Sequence, residues 1–168
     1  MMCMDRRKLL ALLSGGFGLG LAASPLLSRA AAPGEVVQWP AVTLLDGTRW
    51  TGAQAQDKAV VVVFWSTTCP FCKRHNAHVE RLRLAAAGKP LELLTIARDK
   101  DPQGVTRYLK RNELHFAVTL DSQPMAAALS MRNLIPLTVT VDRHGRLKQV
   151  IPGEMFEEDV LGLQKLAS

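Results

Sequence analysis

Cys69 and Cys72 stand two residues apart in the run Phe64-Trp65-Ser66-Thr67-Thr68-Cys69-Pro70-Phe71-Cys72-Lys73, and a third cysteine, Cys3, lies near the start of the 168-residue chain. A dithiol at this spacing can open and close one disulfide, ligate a metal, or anchor a haem. Haem attachment requires a histidine directly after the second cysteine, and Lys73 occupies that place. His75 and His78 could join the two sulfurs in a copper or zinc carrier. A cysteine pair that opens a helix, with proline after the first cysteine, is nevertheless more typical of redox chemistry than of a closed four-ligand site. A purely structural bridge across so short a loop would remove little entropy from the unfolded chain.

The flanking residues say how the pair is held. Ala59-Val60-Val61-Val62-Val63-Phe64-Trp65 is a continuous apolar, β-branched run, as a strand buried on both faces requires. Pro70 suits the first position of a helix, where its missing N–H costs nothing, and Gly88 closes a segment with apolar residues at Phe71, Val79, Leu82 and Ala86. Cys69 is therefore predicted at a helix N-terminus. Unpaired backbone N–H groups and the positive end of the helix dipole favour a thiolate there, which makes Cys69 the attacking sulfur.

The remaining elements follow in order. Asp46-Gly47 between Val42–Leu45 and Thr48–Trp50 signals a hairpin. The strand at 59–65, a helix at about 70–87 and the apolar run at 91–97 form a βαβ unit with parallel pairing. Asp101-Pro102 caps and starts a helix to about Leu114, and 116–120 reads as a short strand. A short helix is expected from Asp121 and Pro124 through Leu129. The residues 137–141 and 147–151 flank Asp142-Arg143-His144-Gly145 as an antiparallel hairpin, and a last helix is predicted over about 154–166.

The N-terminus departs from this pattern. Asp5-Arg6-Arg7-Lys8 precedes an apolar, Gly-rich run from Leu9 to Ala23, with small residues at Ser28 and Ala30. This reads as an export signal over residues 1–30, cleaved before Ala31. The paired arginines suit a twin-arginine signal, although Asp5 precedes them. Left uncleaved, the same segment would tether the domain to the outer face of the membrane. Residues 31–35 are read as a leader and 36–168 as one domain.

Loss of residues 1–30 removes four of the 21 basic and one of the 15 acidic residues, so the net charge falls from +6 to +3. The charges that remain are interspersed, and a nucleic-acid partner has no support. Cys3 leaves as well, so Cys69 and Cys72 are the only thiols of the mature chain.

In this ordered series the chain resembles the thioredoxin-like proteins, and within them the exported TlpA-, ResA- and CcmG-like thiol-disulfide oxidoreductases. The resemblance spans about 36–167. It rests on the Leu45-Asp46-Gly47 hairpin, the Phe64-Trp65 strand end running into Cys69-Pro70-Phe71-Cys72, the inserted strand and helix at 91–114, the Pro136 turn and the 141–146 hairpin. It implies an α/β fold with a central mixed sheet flanked by helices, an N-terminal β-hairpin and an inserted strand-helix element. It also implies that Pro136 is cis beside the dithiol, presenting the backbone of Ile135 to a substrate peptide.

By the same resemblance, Cys69 is the nucleophile and Cys72 the resolving cysteine of a Cys69/Cys72 disulfide, with Trp65, Thr68, Pro70 and Phe71 in support. The implied substrates are disulfides of envelope proteins, such as apocytochrome c or copper-site proteins in the periplasm. A membrane thiol-relay protein would supply electrons, and neither cofactor nor metal is called for. The direction is less constrained. Pro70 and Phe71 cannot donate a strong hydrogen bond to Cys69, which favours a reductant. Positive charge from Lys73, Arg74 and His75, taken as a solvated helix face, favours a dithiol oxidase or isomerase.

Several residues depart from the wider family. Val63 stands where thioredoxins bury an acid, Thr68 where an aromatic residue commonly precedes the first cysteine, and Ile135 where many members have Thr or Val. Glu113, in the inserted segment with Tyr108, is read as a surface helix residue. A peroxidase of the same broad fold would carry proline and threonine where Val62 and Ser66 stand. A non-catalytic binding protein is disfavoured by intact Cys69, Cys72 and Pro136.

Overall fold

The computed structural model describes residues 29–129 and 132–168, so the export-signal reading lies, but for Arg29 and Ala30, outside the described residues. Among these, no helix is long and apolar enough to cross a membrane.

The chain runs β1 (Val42–Thr43), β2 (Arg49–Trp50), β3 (Ala59–Trp65), α1 (Pro70–Ala85), β4 (Leu91–Ala97), α2 (Pro102–Arg111), β5 (Ala117–Thr119), α3 (Ser122–Leu129), β6 (Leu137–Val141), β7 (Leu147–Pro152) and α4 (Glu157–Gly162). Five strands form one mixed sheet in the order β5-β4-β3-β6-β7. β3 pairs parallel with β4 and antiparallel with β6, which makes it the central strand.

Every residue of β3 is buried, and alternation along the strand divides the core in two. Val60, Val62 and Phe64 face a cluster with Leu94, Val139, Met125 and Leu129. Val61, Val63 and Trp65 face the other cluster, with Val79 and Leu82 of α1, Val105 and Tyr108 of α2, and Val160 of α4. Burying each of the larger side chains stabilises the fold by about 1.5–3 kcal/mol. The result is a thioredoxin-like sheet with helices on both sides.

The predicted hairpin forms but is shorter than its sequence pattern. Leu44 closes the turn, its N–H donating to Thr48 O at 2.8 Å, while it also bridges Thr119 of the edge strand β5, and Leu45 N–H donates to Val118 O at 2.7 Å. Thr43 N–H donates to Asp121 Oδ2, and Thr119 Oγ1 to Thr43 O. The hairpin thus covers an open sheet edge. Residues 34–37 do the same beside β7, where Gly34 N–H donates to Leu147 O, Leu147 N–H to Glu35 O and Val37 N–H to Gly145 O. The expected leader is therefore hydrogen-bonded into the domain.

Two helix ends differ from expectation. α2 stops at Arg111 because Asn112 caps it, its side chain donating to Tyr108 O. Glu113 then takes the left-handed conformation, φ 53°, so this exposed residue sits in a turn rather than on the helix. At the start of α2, Asp101 accepts from Gln103 N–H at 3.0 Å, and a Cβ on Gly104 would lie 2.8 Å from the Asp101 carboxylate, so glycine leaves room for the cap. α4 begins at Glu157 rather than near Glu154, because Glu154 and Met155 are held against α1.

His75 makes that attachment. It was expected on a solvated face, yet it is wholly buried, since its position on α1 points at the sheet. Its Nε2 lies 3.0 Å from Thr138 Oγ1 of β6, and its Nδ1 accepts from Met155 N–H at 3.3 Å. Arg74 completes the join with a bidentate ion pair to Glu154. Burial pushes the His75 pKa down to about 4; His78 adds to the shift and Glu154 opposes it.

Above pH 6.5 the ring is neutral in both folded and unfolded chains, and it contributes no pH dependence. Between pH 6.5 and about 4 the unfolded chain takes up a proton that the folded chain refuses, so stability should fall with falling pH by up to about 3 kcal/mol. Urea unfolding midpoints across this window should slope more steeply for the wild type than for His75→Gln, and equal slopes would refute the assignment.

Candidate functional site

The site lies where β3 ends and α1 begins. Ser66, Thr67 and Thr68 turn the chain between them, and Asp99, just beyond β4, fixes the turn. Its carboxylate accepts from Thr67 N–H at 3.0 Å, from the Thr67 hydroxyl, and from Ser66 Oγ at 3.4 Å. Nothing in the local sequence marks Asp99. Only the parallel pairing of Trp65 with Ala97 brings it to the turn.

Cys69 is the N-cap of α1, with Pro70 in the first turn, and its sulfur accepts from Cys72 N–H at 3.3 Å. It is partly exposed, whereas Cys72 is fully buried, and both are free thiols. The helical spacing makes the difference: residue 69 faces the rim, and residue 72 points back onto the sheet among Val61, Val63 and Trp65. Burial, reinforced by the Cys69 sulfur, pushes the Cys72 thiol up to about 12.

The other predicted residues gather around the sulfurs. Ile135 O lies 3.9 Å from Cys69 Sγ, the Ile135–Pro136 peptide is cis, and Pro136 is buried. Pro136 O accepts from Gly153 N–H at 2.8 Å, fixing the loop ahead of β6. Thr68 and Pro70 are exposed. Phe71 is 56% and Leu134 59% exposed, which gives the site an apolar rim. Trp65 is not at the surface: it lies beneath, packed on Tyr108 with ring centroids 5.1 Å apart and edge-on to Phe116.

The electrostatics differ from the sequence reading. Of the three expected cations, Arg74 is paired with Glu154 and sits 5.2 Å over the Phe71 ring. His75 is neutral at ordinary pH. Lys73 alone remains exposed without such a pairing. With both ring nitrogens of His75 engaged, it is not available to join the sulfurs on a metal. Among the described residues no cluster of three or more His, Cys, Asp or Glu could hold one.

Clefts of about 570 Å³ beside Trp39 and Gly52 and about 580 Å³ beside Met155 and Phe156 include neither sulfur. Cys69, partly exposed at the rim, and Cys72, buried behind it, are two thiols of unequal access that can exchange disulfides with another protein chain.

Residues 34–165 match the family model described as Redoxin. The chain belongs to the Redoxin family. The thiol-disulfide oxidoreductase ResA of Geobacillus kaustophilus is 26% identical over 119 residues, 71% of this Redoxin chain and 68% of its own length. In fold, this Redoxin domain is similar to a thioredoxin-family thiol:disulfide interchange protein from Chlorobium tepidum, with TM-score 0.72 and 21% identity over 82% of this chain and 99% of that one. StoA from Bacillus subtilis superposes with TM-score 0.65 and 20% identity, covering 80% and 100%.

The unequal burial of the sulfurs has a direct chemical consequence. With the reduced native protein near pH 7.5, a small alkylating agent should modify Cys69 rapidly and leave Cys72 unmodified for at least about a hundredfold longer, because buried, high-pKa thiols are inert. Mass mapping should place a single label on Cys69, with both sites labelled in denaturant. Equal labelling of the two in the native protein would contradict the placement of Cys72.

Proposed function

We propose that this thiol-disulfide oxidoreductase is a reductant of cysteine pairs in exported proteins, with Cys69 as nucleophile and Cys72 as resolving thiol. The observation that carries the reading is the placement of the two sulfurs, one at the rim beside Ile135 O and the other buried one helical turn behind it. The Cys69 thiolate attacks a partner disulfide and forms a mixed disulfide. Cys72 then attacks Cys69, releasing the reduced partner.

In this scheme Ile135 and Pro136 provide the backbone against which a partner segment lies. Thr68, Pro70 and Phe71 form the contact rim, and Trp65 supports it from below. Apocytochrome c or a copper-site protein in the periplasm is the proposed substrate class, and a membrane thiol-relay protein the proposed electron donor. The naming of similar chains as ResA and the export signal read in residues 1–30 support this compartment. Membrane attachment would follow only from an uncleaved signal.

The charge distribution supports the direction. A disulfide is strongly oxidising when the reduced form is stabilised as a thiolate. Here Arg74 is committed to Glu154, His75 is neutral, and Pro70 and Phe71 offer Cys69 no side-chain donor. Equilibration against thiol buffers should give a reduction potential below about −230 mV, and a value near about −120 mV would make the protein an oxidase or isomerase instead. Cys72→Ser should accumulate a mixed disulfide with its partner, and Cys69→Ser should form none.

A further inference from the structure

Cys72 is fully buried and belongs to the apolar cluster that includes Val63, Trp65, Val105 and Tyr108. A thiol there stays protonated at neutral pH, and generating its thiolate places a charge in a medium that solvates charge poorly. Two polar side chains interrupt the apolar surroundings. Asn76, one helical turn beyond Cys72 on the same face of α1, is fully buried. Tyr108 reaches in from α2, stacked on Trp65. Both polar atoms of Asn76 and the Tyr108 hydroxyl are buried without a hydrogen-bond partner among the described residues. Such groups are destabilising and rare in native interiors, and here two of them flank one buried thiol.

The neighbourhood is electrically connected. Burial pushes the Tyr108 phenol up; the facing Asn76 amide, close enough to interact though outside full hydrogen-bond geometry, draws it down, and the Cys72 and Cys69 sulfurs and Asp99 push it up further. Arg98, just after β4, lies 5.4 Å over the Phe64 ring and donates to Arg132 O, within electrostatic reach of Cys72. Lys73 is exposed on α1.

We propose that Asn76 and Tyr108 are positioning residues for the exchange reaction, facing each other without a well-formed hydrogen bond in the resting protein so that their N–H and O–H groups can turn to the Cys72 sulfur as its thiolate forms. The proposal rests on Cys72 being the resolving thiol. In that step the Cys72 thiol loses its proton and its sulfur bonds to Cys69 Sγ. The Cys69–partner S–S bond breaks with its electron pair on the partner sulfur, which leaves as a thiolate or takes up a proton. The two electrons that the partner gains are those that the dithiol gives up.

The test uses the reduced protein and a chromogenic aromatic disulfide, which releases one coloured thiolate when Cys69 attacks and a second when Cys72 resolves. Tyr108→Phe keeps the stacked ring, and Asn76→Leu keeps the branched shape with bulkier methyl ends. In both, the first phase should match the wild type, while the second should be about tenfold slower at each pH, its pH profile displaced upward by about one unit, as expected for loss of a hydrogen bond to a charged group. Because the phenol makes no well-formed hydrogen bond at rest, Tyr108→Phe should melt close to the wild type.

Superposed second phases and pH profiles for wild type and both variants would overturn the proposal. So would equal slowing of both phases together with a lower melting temperature, which is the signature of lost packing. A second phase that persists in Cys72→Ser would instead overturn the assignment of Cys72 on which the proposal stands.

Discussion

The contact of helix α1 with the sheet face formed by Val61, Val63 and Trp65 governs the rest of the site. β3 is pinned on both sides, by β4 and β6, and all seven of its residues are buried, so its end is a fixed point. A three-residue turn tied to Asp99 sets the start of α1 at that point. Once Val79 and Leu82 dock, helical periodicity leaves no choice: Cys72 must point inward and Cys69 outward. The difference in access between two chemically identical groups is thus a result of packing, and the high pKa of Cys72 follows from the same burial.

The loop before β6 has to meet this helix accurately, because Ile135 O must lie beside Cys69. His75 does much of that work from inside the molecule. By reaching Thr138 on β6 and Met155 after β7, it joins the helix bearing the sulfurs to the strand that follows Pro136. A neutral, doubly bonded imidazole is suited to this role, since a protonated ring could no longer accept from Met155 N–H. The same arrangement withdraws positive charge from the dithiol, so that one device serves both geometry and electrostatics.

Much of this was legible in the sequence, and the misses have identifiable causes. The apolar run at 59–65, the Cys69-Pro70 helix start and the order of elements led to the correct sheet and to the correct end of it. The Asp46-Gly47 pair marked the hairpin but not the length of its strands, because Leu44 also bridges β5 and Leu45 pairs with it, a tertiary pairing that local pattern does not encode. His75 was grouped with Lys73 and Arg74 by type and neighbourhood. Its offset of three from Cys72 and four from Val79 would have placed it on the buried face. Asn76 carried the same helical signal. Asp99 and Met155 gave none, since each reaches the site through strand register or a loop.

The rim around Cys69 bears on what kind of substrate the proposed reductase would take. A small disulfide binds well when a concave pocket buries most of its surface, and the clefts beside Trp39 and Met155 do not reach the sulfurs. What surrounds Cys69 is backbone at Ile135 and apolar side chains at Phe71 and Leu134. Those groups offer hydrogen bonds to an extended chain and a low-specificity apolar contact on either side. Such a surface favours a partner that presents its cysteine in an extended, exposed segment. The proposed reductase therefore calls for partner cysteines in extended, accessible segments.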